Sequence, residues 1–212
     1  ASKISATEMD GLVVCEAETE ENLASLAELT NMNVQVVKAQ EDAEELIAIL
    51  TKPAHQPSET EIFQLGGDSR RFGVSATLGQ LIVVGVHYPW GPTDSSERTE
   101  ISERLIDRTD SFEEVVIAGD FNSLPQQKAR RMFTGAQFSA ATDFLTRRES
   151  GFPSAYRRGQ APAPFGYMIP KIQLDDIYVR GFEHQEVTAH VVQSDHPMLS
   201  SNLVNTDQLL YT

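Results

Sequence analysis

Cysteine occurs once in these 212 residues, at Cys15, so no intramolecular disulfide can brace the chain. Lying in an apolar run, Cys15 reads as a small buried residue rather than a nucleophile. Tryptophan also occurs once, at Trp90. No run approaches the roughly 18 consecutive apolar residues that a helical membrane span requires. Residues 1–10 hold no signal-like apolar segment, so the expectation is no membrane span and a cytoplasmic location, with secretion left open. Cations are scarce as well: 17 Lys and Arg stand against 31 Asp and Glu, a formal charge of −14. Attraction to a nucleic-acid backbone rests largely on Lys and Arg displacing counterions, so tight, sequence-independent DNA binding is disfavoured. A divalent cation at an acidic site would reverse the sign locally, which keeps phosphate chemistry open. With 40% hydrophobic residues the chain fits one domain, residues 1–212, with its own core and a monomeric state.

What is present is organised around Val115-Val116-Ile117-Ala118-Gly119-Asp120-Phe121-Asn122. The apolar, largely β-branched run is of the type found in strands covered on both faces, and Gly119 is expected to end it. If the extended conformation persists, Asp120 and Asn122 leave the strand on the same side. A carboxylate beside an amide can hold a hard cation, align a water and donate to an anion. Taken alone, Gly-Asp-Phe-Asn reads equally as a strand-ending turn.

Other strands deliver polar groups in the same way. Leu12 to Glu16 is a short apolar run ending in a carboxylate, and Leu81 to Val86 ends in His87-Tyr88-Pro89. Leu174-Asp175-Asp176-Ile177-Tyr178-Val179 carries two carboxylates that alternate across a strand, and Ser194-Asp195-His196-Pro197 follows a further β-rich run. Helices are expected from Glu20, with Thr19 as cap, over 94–110, and over 126–133. In the second, Arg98, Arg104 and Arg108 read as surface partners of Glu97, Glu100 and Glu103. In the third, Lys128, Arg130 and Arg131 read as solvated helix face, with substrate phosphates the alternative. Strands are expected at 34–37 and 46–50, on either side of the acidic loop Glu41 to Glu45, and a meander from Ile62 to His87. The segment 146–170 interleaves Arg147, Arg148, Arg157 and Arg158 with Phe152, Tyr156, Phe165 and Tyr167, which suits a substrate-facing loop. His55 is read as exposed and idle, and His184 and His190 as structural.

Gly-Asp-Phe-Asn, then an Asp-bearing strand, then Ser-Asp-His-Pro, in that order, resembles the endonuclease/exonuclease/phosphatase superfamily, which includes pancreatic-type deoxyribonucleases and abasic-site endonucleases. The match spans roughly residues 9 to 204. It implies a four-layer α/β sandwich, two packed mixed β-sheets flanked by helices. It implies a Mg²⁺-dependent phosphoesterase, with Mn²⁺ as a possible substitute, acting on a nucleic acid or a small phosphorylated molecule. By the same resemblance Glu16 binds the metal, with Cys15 where the family usually has glutamine, and Asp195 sits beside it. Asp120 orients or deprotonates the attacking water, and Asn122 steadies the phosphate or the carboxylate. His196 contacts the phosphoryl group with Asp175 fixing its ring, and His87 lies near the scissile phosphate. Trp90 is either a rim residue that stacks on substrate or a ring packed on Pro89 and Pro92. The family begins with a further central strand carrying an asparagine; these residues start after it, and the expectation is a clipped chain. The reading from another class is an inactive member of the same fold serving as a binding module.

Overall fold

The structure is a computed structural model and describes residues 9–40, 45–66, 70–89, 95–124, 126–141, 175–190 and 198–205, with side chains from 183 onward left aside. Two sheets pack face to face. The smaller holds β1 (Gly11–Ala17), β2 (Asn33–Ala39) and β3 (Leu46–Thr51) in the order β1-β3-β2, antiparallel throughout. The larger has six strands, β4 (Glu59–Gln64), β5 (Phe72–Leu78), β6 (Leu81–His87), β7 (Glu114–Asp120), β8 (Ser139–Ala140) and β9 (Asp175–Arg180), in the order β4-β5-β6-β7-β9-β8. It is mixed, because β6 and β7 run parallel. Two further strands, β10 (Phe182–His190) and β11 (Met198–Asn205), pair with each other as an antiparallel ribbon.

Alternation along β3 shows how the layers form. Ala48 and Leu50 face the helix α1 (Glu20–Thr30), where they pack with Leu23 and Ala27. Ile47 and Ile49 face the other way and meet Val74 and Ala76 of β5, with Val36 of β2, to make the core between the sheets. On the far side of the larger sheet, α2 (Ser96–Thr109) and α3 (Lys128–Gly135) contribute Ile101, Leu105 and Phe133 to a core with Val84, Val86, Val115 and Ile117. Helix, sheet, sheet and helix pair give the four-layer α/β sandwich, as expected, except that among the described residues the smaller sheet is antiparallel rather than mixed.

Helix α1 starts at the expected Glu20, whereas α2 and α3 each start two residues later than expected, at Ser96 and Lys128. Thr19 caps α1, its side chain accepting from the Asn22 amide at 3.1 Å, and Ser95 does the same for α2 through the Arg98 amide at 3.1 Å. Of the three arginines assigned to the surface of α2, Arg104 does pair with Glu100 at 2.6 Å. Arg108 instead reaches Glu61 on β4. Arg98 is buried, with Nη1 3.4 Å from the Pro89 carbonyl. A guanidinium on a long stem can cross to another element, so helical spacing alone did not fix these partners.

The crossover through α2 is what positions chemistry. Parallel neighbours end at the same edge of a sheet, so the C-terminal ends of β6 and β7 lie side by side, with His87 level with Asp120. Strand β9 runs antiparallel to β7 and begins at that edge, placing Asp175 level with Asp120 on its other side. Three adjacent strands therefore present His87, Asp120 and Asp175 in one row.

Candidate active site

Strand β7 runs through Asp120, one residue beyond the expected stop at Gly119. Gly119 holds φ +142° within the strand, and a Cβ there would lie 1.9 Å from the Val86 carbonyl oxygen. Only glycine permits so close an approach to β6. Beyond Asp120 the extended conformation does not persist: Asn122 takes φ 43°, in the left-handed region that asparagine tolerates better than most residues. Asp120 and Asn122 are brought together by a turn rather than by the pleat. The Asn122 backbone amide donates to Asp120 Oδ1 at 2.7 Å, and the Asn122 side chain donates to the Tyr88 carbonyl at 2.8 Å. Phe121 points the opposite way into the helix-side core, against Tyr88, Phe133 and Tyr178.

Glu16 arrives from the other sheet. Between the pairs Val14↔Ala48 and Ala17↔Leu46, residues 15 and 16 stand opposite Ile47 alone, which is a β-bulge. Glu16 itself has φ 61°, a strained conformation for a residue with a Cβ. The bulge re-aims its carboxylate toward the row on the larger sheet. His87 Nε2 lies 3.4 Å from Glu16 Oε1 and 3.8 Å from Asp120 Oδ2. One ligand-capable atom from each of Glu16, His87 and Asp120 falls within 4.8 Å of the other two. His87 and Asp120 are buried, whereas the Glu16 side chain is 34% exposed, so the cluster opens to solvent on the Glu16 side.

The far side of the His87 ring is held too. Arg71 Nη1 is 3.1 Å from Nδ1, and Glu45 Oε2 is 3.6 Å from Nδ1 and 3.3 Å from the same guanidinium nitrogen. A guanidinium only donates, so a hydrogen bond from Arg71 to Nδ1 requires the tautomer with the ring proton on Nε2, facing Glu16 and Asp120. In that tautomer His87 is a hydrogen-bond donor at the cluster, and the oxygen atoms of Glu16 and Asp120 are the atoms that could hold a cation. Gln40 organises this outer layer. Its backbone amide donates to the Glu45 carbonyl at 2.9 Å, while its side chain accepts from the Phe72 amide at 2.7 Å and donates to the Phe72 carbonyl at 3.0 Å. The residues that carry Glu45 and Arg71 to His87 are thus tied to one buried amide.

Beneath the cluster, the Cys15 thiol donates to the Val86 carbonyl at 3.3 Å. Burial pushes its pKa far above the ordinary thiol value, and the negative charges of Asp120, Asp175 and Glu16 push it further. Cys15 is therefore a neutral filler and not a nucleophile.

No family model matches the chain, and no curated protein matches it either. Solved structures do. An endonuclease/exonuclease/phosphatase protein from Bacteroides vulgatus superposes with a TM-score of 0.71 at 17% identity, covering 95% of this chain and 87% of that one. A mannosyl-6-phosphatase from Bacteroides thetaiotaomicron gives 0.69 at 14% identity, over 95% and 87% of the two chains. A 3′ phosphatase from Neisseria, solved with a product DNA hairpin, gives 0.67 at 16% identity, over 92% and 89%. The chain has the endonuclease/exonuclease/phosphatase fold.

Within that fold, the structure brings together Glu16, His87 and Asp120, with Asn122 holding the Asp120 carboxylate and Asp175 next in the row. Asp176 turns to the opposite face of β9, as alternation along the strand requires, and pairs there with Arg130. Arg130 is thereby withdrawn from the solvated face on which the sequence had placed it; it is 1% exposed. Trp90, Asp195, His196 and the Arg/aromatic segment 146–170 lie outside the described residues, as do the side chains of His184 and His190. His55 is half exposed and sits 3.5 Å from Asp10. Glu45, Arg71 and Gln40 are the site residues that the sequence did not disclose. Glu45 read as one of several loop carboxylates, and nothing in the spacing of residues 40, 45 and 71 announces that they converge.

Proposed function

We propose that this protein is a divalent-metal-dependent phosphoesterase, hydrolysing phosphodiester or phosphomonoester bonds. The convergence of Glu16, His87 and Asp120 from three strands of two sheets carries the reading. The likeness of the fold to that of nucleases and phosphatases supports it.

Two carboxylates with a nearby imidazole form an oxygen-rich, anionic donor set, which fits a hard cation such as Mg²⁺ or Mn²⁺. Glu16 and Asp120 would hold it, joined by Asp195. When bound, such a cation offsets charge on the phosphoryl oxygens and acidifies a coordinated water. The protein supplies the rest. Asp120, one oxygen of which accepts the Asn122 amide, would orient the attacking water and take its proton. His87, with its Nδ1 engaged by Arg71, presents Nε2–H to a phosphoryl oxygen as charge develops there. His196, steadied by Asp175, would stand at the leaving group. Substrates are a nucleic acid or a small phosphorylated molecule, and the protein acts as a monomer.

Metal titration separates this reading from an inactive scaffold. Addition of Mg²⁺ or Mn²⁺ is expected to raise the melting temperature in a saturable way, because a ligand that binds only the folded state stabilises it. Glu16→Gln is expected to remove most of that shift while folding normally. A melting temperature insensitive to both ions, or a shift that survives Glu16→Gln, would overturn the assignment of the metal site.

A further inference from the structure

Behind the site, on the face of β9 opposite Asp175, lies an ion pair that the chemistry above does not use. Arg130 and Asp176 are each 1% exposed and in direct contact. The guanidinium also donates from Nε to the Tyr178 hydroxyl at 2.8 Å and from Nη1 to the Ser123 carbonyl at 3.1 Å. Asp176 Oδ1 in turn accepts from the Ile177 amide at 2.9 Å. Removing two charges from water is expensive, and a well-packed apolar pair of similar volume often stabilises a fold as well or better. Stability alone therefore does not account for this arrangement. What it does is connect three elements. Arg130 stands on α3, Asp176 lies beside Asp175 at the start of β9, and Ser123 directly follows the turn in which the Asn122 amide holds Asp120.

We infer that Arg130 is a positioning residue, which fixes the start of β9 through Asp176 and the Asp120–Asn122 turn through the Ser123 carbonyl. It acts from the core side of the sheet and touches neither substrate nor metal. Asp120, assigned to the ion and the attacking water, and Asp175, assigned to the His196 ring, are sensitive to displacements of about 1 Å. A three-pronged donor held by a buried counterion restrains the two backbones that carry them. The Ser123 hydroxyl is buried without a hydrogen-bond partner among the described residues, so the segment is held where its own side chain is not satisfied. The activity part of this inference rests on the phosphoesterase reading; the structural part does not.

Two variants test it. Arg130→Met combined with Asp176→Leu removes both charges at similar volume, and Arg130→Lys keeps the charge for Asp176 while losing the planar fork. Three quantities are read: melting temperature, hydrogen exchange at the Asn122 amide, and kcat and KM for bis-p-nitrophenyl phosphate with Mn²⁺. The double variant is expected to melt near or above wild type. Its Asn122 amide should nonetheless exchange at least about tenfold faster, with kcat lowered at least about tenfold and KM changed by less than roughly threefold. Arg130→Lys should move in the same direction by a smaller factor. A folded double variant with unchanged Asn122 exchange and unchanged kcat would overturn the inference, and if the double variant does not fold, Arg130→Lys decides by the same readings. Absence of hydrolysis by the wild type would instead defeat the phosphoesterase reading, and the Asn122 exchange would then decide the positioning role by itself.

Discussion

Asp120→Asn is expected to lower kcat by roughly a thousandfold, about 4 kcal/mol of barrier, while leaving the melting temperature unchanged or slightly raised. The two carboxylate oxygens have separable tasks. Oδ1 accepts the Asn122 amide at 2.7 Å, and an amide oxygen in its place can do the same, so the turn survives. Oδ2, 3.8 Å from His87 Nε2, becomes an NH₂ group that can neither bind a cation nor accept a proton. In the tautomer that accepts from Arg71 it also faces the Nε2 proton, so a donor opposes a donor. Removing one negative charge from among Glu16, Asp120 and Asp175 relieves repulsion in the metal-free protein, which is why stability need not fall. Steady-state kinetics on bis-p-nitrophenyl phosphate with Mn²⁺, beside calorimetric melting, checks both halves. A loss of kcat below about tenfold, or 1.4 kcal/mol, removes Asp120 from the mechanism.

Gly119→Ala should have the largest effect on the fold. The added methyl would lie 1.9 Å from the Val86 carbonyl oxygen and 3.0 Å from its carbon. Both are backbone atoms of the neighbouring strand, so no rotamer change relieves the overlap. The φ of +142° adds strain for any residue with a Cβ. Relief requires β7 to move away from β6, which separates His87 from Asp120 at the end of the pair. A cost of at least about 4 kcal/mol is expected, lowering the melting temperature of a chain this size by roughly 8–16 °C, with activity lost in parallel. A variant melting within about 2 °C of wild type would show that the strands shift apart at little cost.

Much of this architecture was legible in the sequence, because it rests on patterns with a period. Leu81 to His87 was delimited to the residue. The run around Val116 was placed as an interior strand, and β3 showed its apolar character throughout. Thr19 announced the start of α1 through its side-chain oxygen. The alternation that sends Asp175 and Asp176 to opposite faces held as well. What did not show is what depends on departures from regularity. The bulge that aims Glu16 leaves no mark in composition, since two residues opposite one is a property of the pairing with β3. The turn at Asn122 replaced the extended geometry that a period of two suggests. Burial of Arg130 and Arg98 runs against the usual location of arginine and follows from partners 46 and 9 residues away in the chain. The Gln40, Glu45 and Arg71 group is assembled by tertiary contact alone.

On the reading proposed above, Glu16, His87 and Asp120 form the centre of a metal-dependent phosphoester hydrolase. That reading is tested most directly by incubating the protein with plasmid DNA, single-stranded DNA, RNA, inositol phosphates and bis-p-nitrophenyl phosphate, in Mg²⁺ or Mn²⁺ and again with excess chelator. Hydrolysis of at least one of these esters is expected with metal, abolished by chelator and restored when metal is returned. Hydrolysis that persists undiminished in chelator, or no hydrolysis of any ester by a folded protein that binds the metal, would contradict the reading.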